Sequence, residues 1–225
     1  MSNLKNETLR EALGVYFIMG SQNCITSPQK TLDLALNGGV SIFQFREKGE
    51  GAFVGTEKRQ LAKELQAICR KNNTLFIVND DLELAKELDA DGIHIGQDDE
   101  DLQYVRREFP DKIIGISAHT LEEVEKAVAG GADYLGVGPI YATETKKDAK
   151  EVKGTTLIEQ IRDLGYTIPI VGIGGINAKR TQEVILAGAD GVSVITAISK
   201  AESPDKASQE IKSEVTQAKK IKFTK

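Results

Sequence analysis

The sequence predicts a single α/β domain with the (β/α)8, or TIM-barrel, fold, and two observations lead to this prediction. Eight short runs rich in Val, Ile and Phe are bounded by Gly, Asp or Pro, as buried parallel strands are. Amphipathic stretches separate these runs at a nearly even spacing along the 225 residues, and eight strand–helix units make one barrel. An open, doubly wound sheet is the alternative, but its strand order does not favour such even spacing.

The same patterns give the individual elements. We predict that residues 1–225 form one domain, with residues 1–12 as an N-terminal extension and residues 219–225 as a frayed basic tail. The predicted strands cover residues 15–20, 40–46, 75–79, 92–96, 112–117, 134–138, 168–174 and 191–196, and apolar residues recur at helical spacing in 58–71, 121–129 and 207–218.

Four strands are entered in nearly the same way. The segments NGGVSI, DADGIHI, GGADYLGV and AGADGVSV lead into the second, fourth, sixth and eighth strands. Asp91 and Asp133 are 42 residues apart, close to two strand–helix units, whereas Asp133 and Asp190 are 57 apart. The excess is about the length of the polar segment 138–154. This hint of fourfold repetition supports the barrel.

The composition argues against several classes of protein. A net charge of −5 disfavours nucleic-acid binding, and no window approaches the ~20 apolar residues of a membrane span. The N-terminus lacks the apolar core of a signal peptide. Cys24 and Cys69 show no metal-binding or redox spacing. We therefore expect a cytoplasmic enzyme that acts on small molecules, with no nucleic-acid or membrane partner; the sequence leaves open whether it is a homo-oligomer.

In such barrels the active site lies where strands end and helices begin. Polar residues cluster at those predicted strand ends, whereas the opposite rim is mostly Gly, Asp and Pro. Candidate residues are Gln44, Phe45, Arg46, Glu47 and Lys48 after strand 2, Asn79 and Asp80 after strand 3, Asp99 after strand 4, Ser117 and His119 after strand 5, Gly174 and Gly175 after strand 7, and Ile195 and Thr196 after strand 8.

Two anion sites are predicted at this rim. Backbone N–H groups at Gly174-Gly175 and at Ile195-Thr196 suit a monophosphate, although glycines also allow close strand–helix packing. Arg46 and Lys48 lie two residues apart and share a face with Gln44, so they suit a more highly charged group such as a diphosphate. The pair suggests a diphosphate leaving group and a monophosphorylated acceptor.

Asp80 and Asp99 follow successive strands, so their side chains can converge. Two carboxylates beside phosphate-binding groups suit Mg²⁺. Each acid is also a common helix N-cap, which is the interpretation favoured for Asp81 and Asp98. A carboxylate pair for acid–base chemistry is a third option, but no proton acceptor is evident nearby. His94 alternates with isoleucines and fits a hydrogen-bonded barrel residue better than a ligand.

The motifs QFREK, VNDD, GIHIGQDD, GISAHT, GPIYATETKK, GIGGI and GADGVSVITAI, in this order between about Val15 and Ser199, resemble the thiamine-phosphate synthase family. The resemblance implies the joining of a hydroxymethylpyrimidine diphosphate to a thiazole phosphate, with Mg²⁺ and release of pyrophosphate. The motif QFREK, which includes Phe45 and Glu47, belongs to the pyrimidine side. By motif, the resemblance assigns the pyrimidine diphosphate to Gln44, Arg46, Lys48, Asn79, Ser117 and Lys146; Mg²⁺ to Asp80 and Asp99; and the thiazole phosphate to Thr143, Glu144, Thr145, Gly175, Ile195 and Thr196.

For this family the resemblance implies a dissociative reaction. Pyrophosphate leaves a stabilised pyrimidinylmethyl cation, and the thiazole nitrogen then attacks it. Such chemistry needs placed cations rather than a protein nucleophile. The alternatives are a thiazole tautomerase-like isomerase, which would need a general base, and a non-catalytic sensor of phosphorylated metabolites. The segment 138–154 is expected to close over the mouth, with Thr143 and Thr145 facing the acceptor and Lys146 facing the diphosphate.

Overall fold

The eight predicted strands close into one parallel barrel in the computed structural model, which describes residues 2–143, 152 and 154–223. Each strand pairs with the next, and the first pairs with the last, with Tyr16 opposite Ser193. The (β/α)8 prediction is therefore confirmed. The strands are β1 (Val15–Met19), β2 (Ile42–Phe45), β3 (Leu75–Asn79), β4 (Gly92–Ile95), β5 (Ile113–Ala118), β6 (Tyr134–Val137), β7 (Ile170–Ile173) and β8 (Gly191–Val194).

Helices surround the barrel, and several begin at a side-chain cap. Ser27 accepts the Lys30 N–H and Asp81 accepts the Leu84 N–H, so the cap predicted at Asp81 is confirmed. The helices are α1 (Ser2–Ala12), α2 (Pro28–Asn37), α3 (Gly55–Lys71), α4 (Leu82–Glu87), α5 (Leu102–Glu108), α6 (Leu121–Ala129), α7 (Thr156–Asp163), α8 (Ala178–Leu186), α9 (Thr196–Ser199) and α10 (Pro204–Phe223).

One expectation about the helices is corrected, and one stays a prediction. Helix α10 continues through Phe223; its apolar stripe ends at Ala218, which is fully buried, and the helix packs on α8 and α2, whereas fraying of residues 219–225 stays a prediction. The cap of α5 is Asp101, whose carboxylate accepts two backbone N–H groups, and not Asp98. Asp101 stands immediately before the helix, where a capping oxygen can reach the first turn.

The apolar side chains form two cores. The larger one lies between the barrel and its helices and includes Phe17, Phe43 and Phe76, whose neighbouring ring centroids are 5.8 and 5.9 Å apart. The smaller one fills the barrel interior and contains Leu13, from the turn after α1, and Tyr16. The barrel interior is therefore a packed core and not a pore, and active sites in this fold lie at the C-terminal ends of the strands.

The repeated strand entries have a structural cause at the N-terminal rim. Asp91, Asp133 and Asp190 stand immediately before β4, β6 and β8, and each carboxylate accepts a backbone N–H near the start of the preceding strand, at 2.8 Å. Ser41 does the same before β2, with its Oγ 3.2 Å from the Val15 nitrogen. The fourfold pattern in the sequence is thus a repeated brace between strand pairs.

Arginines complete two of these braces. Arg106 of α5 donates to Asp133 at 2.6 Å, and Arg162 of α7 donates to Asp190 at 2.9 Å. Each guanidinium also donates to backbone carbonyls of the neighbouring turns. The N-terminal rim is therefore held by charged groups whose hydrogen bonds are directed at one another and at the backbone.

Candidate active site

Two neighbouring cavities open at the C-terminal rim. The first is lined by charged and polar side chains from the ends of β2 to β5. The second lies between the ends of β7 and β8 and is lined mainly by apolar and backbone atoms. Thr143, Ile173 and Gly174 line both cavities, so the two spaces share one wall.

Asp80, Asp99 and Lys48 meet in the first cavity, as predicted. The Lys48 Nζ donates to Asp80 Oδ2 at 2.7 Å, and the Gly96 N–H donates to Asp99 Oδ2 at 2.6 Å. Asp80 has a φ of +61°, a backbone conformation that is uncommon outside glycine and often marks functional sites. The sequence patterns of three strand ends therefore converge on one charged cluster.

The two carboxylates are electrostatically linked. Burial, followed by the hydrogen bond with Asp99, raises the pKa of Asp80. Burial opposes ionisation of Asp99 as well, but the hydrogen bonds from Asp80 and Gly96 hold the pKa of Asp99 below its ordinary value. The hydrogen bond to Asp80 raises the pKa of Lys48, which stays positive. The pair is thus arranged to gain from a further cation.

The side chains after β2 divide between two directions, as alternation along an extended chain requires. Arg46 and Lys48 line the first cavity. Phe45 and Glu47 do not: Phe45 is buried in the outer core against Phe76 with ring centroids 6.2 Å apart. In the QFREK motif, every second side chain therefore faces the cavity side of the strand, and Phe45 and Glu47 face away from it.

Glu47 links two loops of the rim. Its buried carboxylate accepts the Ser21 N–H and the Phe53 N–H, both at 2.7 Å, and also the Ser21 hydroxyl. The loops after β1 and β2 are therefore joined through one side chain. These hydrogen bonds give the acid of the QFREK motif a structural role, although Glu47 does not line the first cavity.

Asn79 and Ser117 also line the first cavity, together with both histidines, and Gln44 lies buried beneath it. His94 contacts Ser117, with Nε2 and Oγ 3.0 Å apart, and His119 Nδ1 donates to the Gly138 carbonyl oxygen. The sequence interpretation of His94 as a hydrogen-bonded barrel residue agrees with this position.

The glycines after β7 have a packing role. Gly174 and Gly175 have φ values of +100° and +60°, and a Cβ on Gly175 would lie 2.5 Å from the Ala142 oxygen. The segment after β6 follows this edge, with the Tyr141 N–H donating to the Gly174 oxygen at 3.0 Å. Close backbone packing, the alternative that the sequence left open, is therefore one reason for glycine at both positions, and the phosphate role of Gly175 stays a prediction.

The second cavity contains the remaining predicted acceptor residues and one that the sequence did not suggest. Gly175, Ile195 and Thr196 line it, as does Ser193. Ser193 is 2% exposed, and its Oγ has no hydrogen-bond partner among the described residues. In the sequence, a serine within an apolar strand indicates no particular role. The structure shows that the Ser193 hydroxyl is buried without a hydrogen-bond partner among the described residues, which buried polar groups rarely are.

Part of the predicted lid falls outside the described residues. Thr143 lies in the wall between the cavities, whereas Glu144, Thr145 and Lys146 are not among the described residues. Within the described ranges, no group of three or more His, Cys, Asp or Glu side chains could hold a metal by itself. None of the helices there combines the length and apolar character that crossing a membrane requires.

These features define a class of protein. A barrel with a charged cavity and a carboxylate pair at its C-terminal rim, next to a second cavity at β7 and β8, is typical of enzymes that act on phosphorylated metabolites.

Comparison with known proteins narrows this class. The family model described as thiamine monophosphate synthase matches residues 15–198. A thiamine-phosphate synthase of Bacillus cereus (strain 03BB102) is 57% identical over 218 residues, which are 97% of this chain and 100% of that protein. One of Bacillus thuringiensis (strain Al Hakam) is 56% identical with the same coverage. The chain belongs to the thiamine-phosphate synthase family, and the predictions of this family and of a transferase are confirmed.

A solved structure agrees with this assignment. Thiamine phosphate pyrophosphorylase from Pyrococcus furiosus superposes with a TM-score of 0.84 at 34% identity, covering 93% of this chain and 98% of that one. A structure of 3-hexulose-6-phosphate synthase, at 16% identity and a TM-score of 0.63, with coverage of 89% and 99%, shares the fold alone.

Proposed function

We propose that the enzyme transfers the pyrimidinylmethyl group of hydroxymethylpyrimidine diphosphate to the ring nitrogen of a thiazole phosphate, which gives thiamine phosphate and pyrophosphate. One observation supports the assignment of each substrate to its own cavity. A charged cavity and a mainly apolar cavity share a wall at Thr143, Ile173 and Gly174. A reaction that joins two molecules requires two binding spaces that meet at one point.

The first cavity suits the diphosphate. Arg46 can bind phosphate oxygens through two parallel N–H groups, and Lys48 adds a compact positive charge. Asn79 and Ser117 supply neutral hydrogen-bonding groups in the same cavity. Gln44 below it and Lys146, outside the described residues, complete the proposed donor site.

The carboxylates Asp80 and Asp99 would hold Mg²⁺. They fit such an ion because two linked carboxylates lie beside the proposed diphosphate position, and Mg²⁺ commonly binds one or two carboxylates and completes its shell with phosphate oxygens. The ion would supply positive charge to offset the charge of the leaving diphosphate.

The second cavity suits the thiazole phosphate. Gly175, Ile195 and Thr196 would bind its phosphate through backbone N–H groups and a hydroxyl, and Thr143 would contact it from the shared wall. Glu144 and Thr145 belong to the same proposed site, outside the described residues. The apolar lining by Ile173 and Ile176 suits the ring of the acceptor.

The proposed mechanism is dissociative. The bond between the methylene carbon and the diphosphate oxygen breaks first, and both bonding electrons leave with pyrophosphate. The thiazole nitrogen then donates its lone pair to the resulting cation. Arg46 and Lys48 stabilise the departing negative charge, and no protein nucleophile takes part.

Release of pyrophosphate from the two substrates tests the proposal. Omission of either substrate should abolish the release, and omission of Mg²⁺ should strongly reduce it. Arg46→Ala should slow release more than it weakens binding of the thiazole phosphate, and Arg46→Lys should recover only part of the rate, because an ammonium cannot reproduce the guanidinium fork. A larger effect on acceptor affinity would show that the two anion sites are assigned in reverse.

A further inference from the structure

A chain of five polar side chains crosses the barrel interior and ends at the first cavity. Gln44 Nε2 lies 2.9 Å from Tyr16 Oη, which lies 2.7 Å from Tyr134 Oη. Tyr134 Oη lies 3.0 Å from His94 Nδ1, and His94 Nε2 lies 3.0 Å from Ser117 Oγ. The chain passes through β2, β1, β6, β4 and β5, and we call it the interior chain.

The interior chain is shielded from water except at its cavity end, where His94 and Ser117 line the first cavity. Tyr16 and Gln44 are 1% exposed, Tyr134 is 0% exposed and His94 is 8% exposed. Polar groups buried in this way take their hydrogen bonds from one another. The hydrogen-bond partners of these side chains are therefore other protein groups and not water molecules.

The backbone leaves room for this chain at two places. A Cβ on Gly115 would lie 2.0 Å from Cζ of the Tyr134 ring, and a Cβ on Gly136 would lie 3.1 Å from Cε1 of His94. Any side chain at Gly115 would displace the tyrosine ring. The strands β5 and β6 are thus built to accept an aromatic ring and an imidazole inside the barrel.

The donors and acceptors of the interior chain follow one direction. An amide nitrogen only donates, so Tyr16 Oη accepts from Gln44 and its single hydrogen is directed to Tyr134. The hydrogen of Tyr134 is then directed to His94 Nδ1. In its neutral form the imidazole would therefore carry its hydrogen on Nε2 and donate it to Ser117 Oγ. The hydrogen of Ser117 remains for a ligand in the cavity.

We propose that His94 is a positioning residue that fixes the Ser117 hydroxyl as a hydrogen-bond donor to the diphosphate substrate. Diphosphate oxygens only accept hydrogen bonds. A Ser117 hydroxyl that instead donated to His94 would direct its lone pairs at these oxygens and repel them. This inference rests on the proposed function, because it requires the anionic donor to occupy the first cavity.

The hydrogen position on His94 can be measured without substrate. We expect ¹⁵N NMR of the imidazoles to give the neutral Nε2–H form for His94. Tyr134→Phe, which removes the hydroxyl that donates to Nδ1 with little change of shape, should give a mixture of the two neutral forms. The Nδ1–H form of His94 in the unsubstituted enzyme, or no change in Tyr134→Phe, would overturn the proposal.

His119 is the internal control for this measurement. Its Nδ1 contacts the Gly138 carbonyl oxygen, which only accepts, so Nδ1 carries a hydrogen and its Nδ1 signal should keep the protonated character in both proteins. A change of both histidines in Tyr134→Phe would mean a general rearrangement of the barrel and would also contradict the proposal.

Kinetics test the coupling to Ser117. His94→Asn should lower kcat/KM for the pyrimidine diphosphate about tenfold, the scale of one hydrogen bond to a charged group, and leave KM for the thiazole phosphate unchanged. In the double variant His94→Asn, Ser117→Ala, the loss should equal that of Ser117→Ala alone. Independent, multiplying losses would show that His94 does not act through Ser117.

The NMR and kinetic experiments together distinguish a failure of this inference from a failure of the proposed function. If the unsubstituted enzyme releases no pyrophosphate from the two substrates, the proposed function fails, whereas the NMR result still decides the direction of the interior chain. If turnover occurs and the NMR or the double variant gives the opposite result, only the role of His94 is wrong. Tyr134→Phe should lower kcat/KM for the same substrate, which provides a second kinetic variant if His94→Asn does not fold.

Discussion

The two rims of the barrel use charged residues in opposite ways. At the N-terminal rim, Asp133 and Asp190 each accept from an arginine and from a strand N–H. At the C-terminal rim, Asp80 and Asp99 are linked to each other, and Lys48 is their cationic neighbour. One rim joins opposite charges, whereas the other brings like charges together.

The difference separates stability from chemistry. Removing a carboxylate that is paired and hydrogen-bonded leaves a cation and an N–H group unmatched in the folded chain. Two linked carboxylates that share one cationic neighbour, Lys48, gain from a further cation. The same residue type, aspartate, is therefore expected to report on unfolding at one rim and on turnover at the other.

The largest expected effect is on stability at the N-terminal rim. Asp190→Ala should lower the free energy of unfolding by about 3 kcal/mol, because Arg162 and the Ile170 N–H lose their partner. Turnover per folded molecule should be unchanged. Urea denaturation measures the loss, with the exposed Asp163→Ala as control. Equal stability of the two variants would contradict the role of the brace.

The next effect is on turnover at the C-terminal rim. Asp99→Ala should reduce kcat by about a hundredfold, the scale of a lost preorganised charge contact, and shift the Mg²⁺ dependence to higher concentration. Its free energy of unfolding should change by less than about 1 kcal/mol. Glu100→Ala, an exposed acid in the same loop, should do neither. Unchanged Mg²⁺ dependence in Asp99→Ala would remove the metal assignment.

A smaller effect is expected from the predicted lid, outside the described residues. Lys146→Ala should lower turnover about tenfold, because one charge proposed to meet the leaving group would be lost. Lys147→Ala should be nearly neutral, since the sequence alternation predicts that it faces away from the diphosphate. Steady-state kinetics compare the two variants. Equal losses would mean that the segment is only a solvated connection.

The smallest effect concerns the second cavity. Ser193→Ala should raise KM for the thiazole phosphate about threefold and leave KM for the pyrimidine diphosphate unchanged, because a hydroxyl that lines the proposed acceptor cavity is lost. Ser199→Ala is the matched control: its Oγ is also buried without a partner among the described residues, but it lines neither cavity. A change in KM for the pyrimidine diphosphate would mean that Ser193 acts on that substrate and not on the thiazole phosphate.

The fold and the charged cluster were predictable because they depend on patterns that repeat. Apolar runs give the strands, and the strand ends of a parallel barrel face one rim, so Asp80, Asp99 and Lys48 were expected together. The alternation along β2 was also visible, yet the motif as a whole was assigned to the substrate. The sequence did not predict that Phe45 packs in the outer core and that Glu47 joins two loops, because these directions depend on contacts with distant segments of the chain.

The interior chain was not predictable for a different reason. Tyr16 and Tyr134 lie in apolar strands 118 positions apart, and each looks like an ordinary core aromatic until the barrel closes. The same holds for Gly174 and Gly175, whose close neighbour is the chain after β6. Contacts across the barrel depend on register, which local patterns do not contain.

The N-terminal braces also have a consequence for the order of folding. Arg106 and Asp133 are 27 positions apart, and Arg162 and Asp190 are 28 apart, so each pair closes a short loop at low entropic cost. Arg10 reaches the same Asp190 across 180 positions, at 2.5 Å. We therefore expect the local pairs to form early and the distant one to form only when the ends of the chain meet. Arg10→Ala should therefore speed unfolding in stopped-flow experiments and leave the folding rate nearly unchanged, and a slowed folding rate would mean that the ends meet before the transition state.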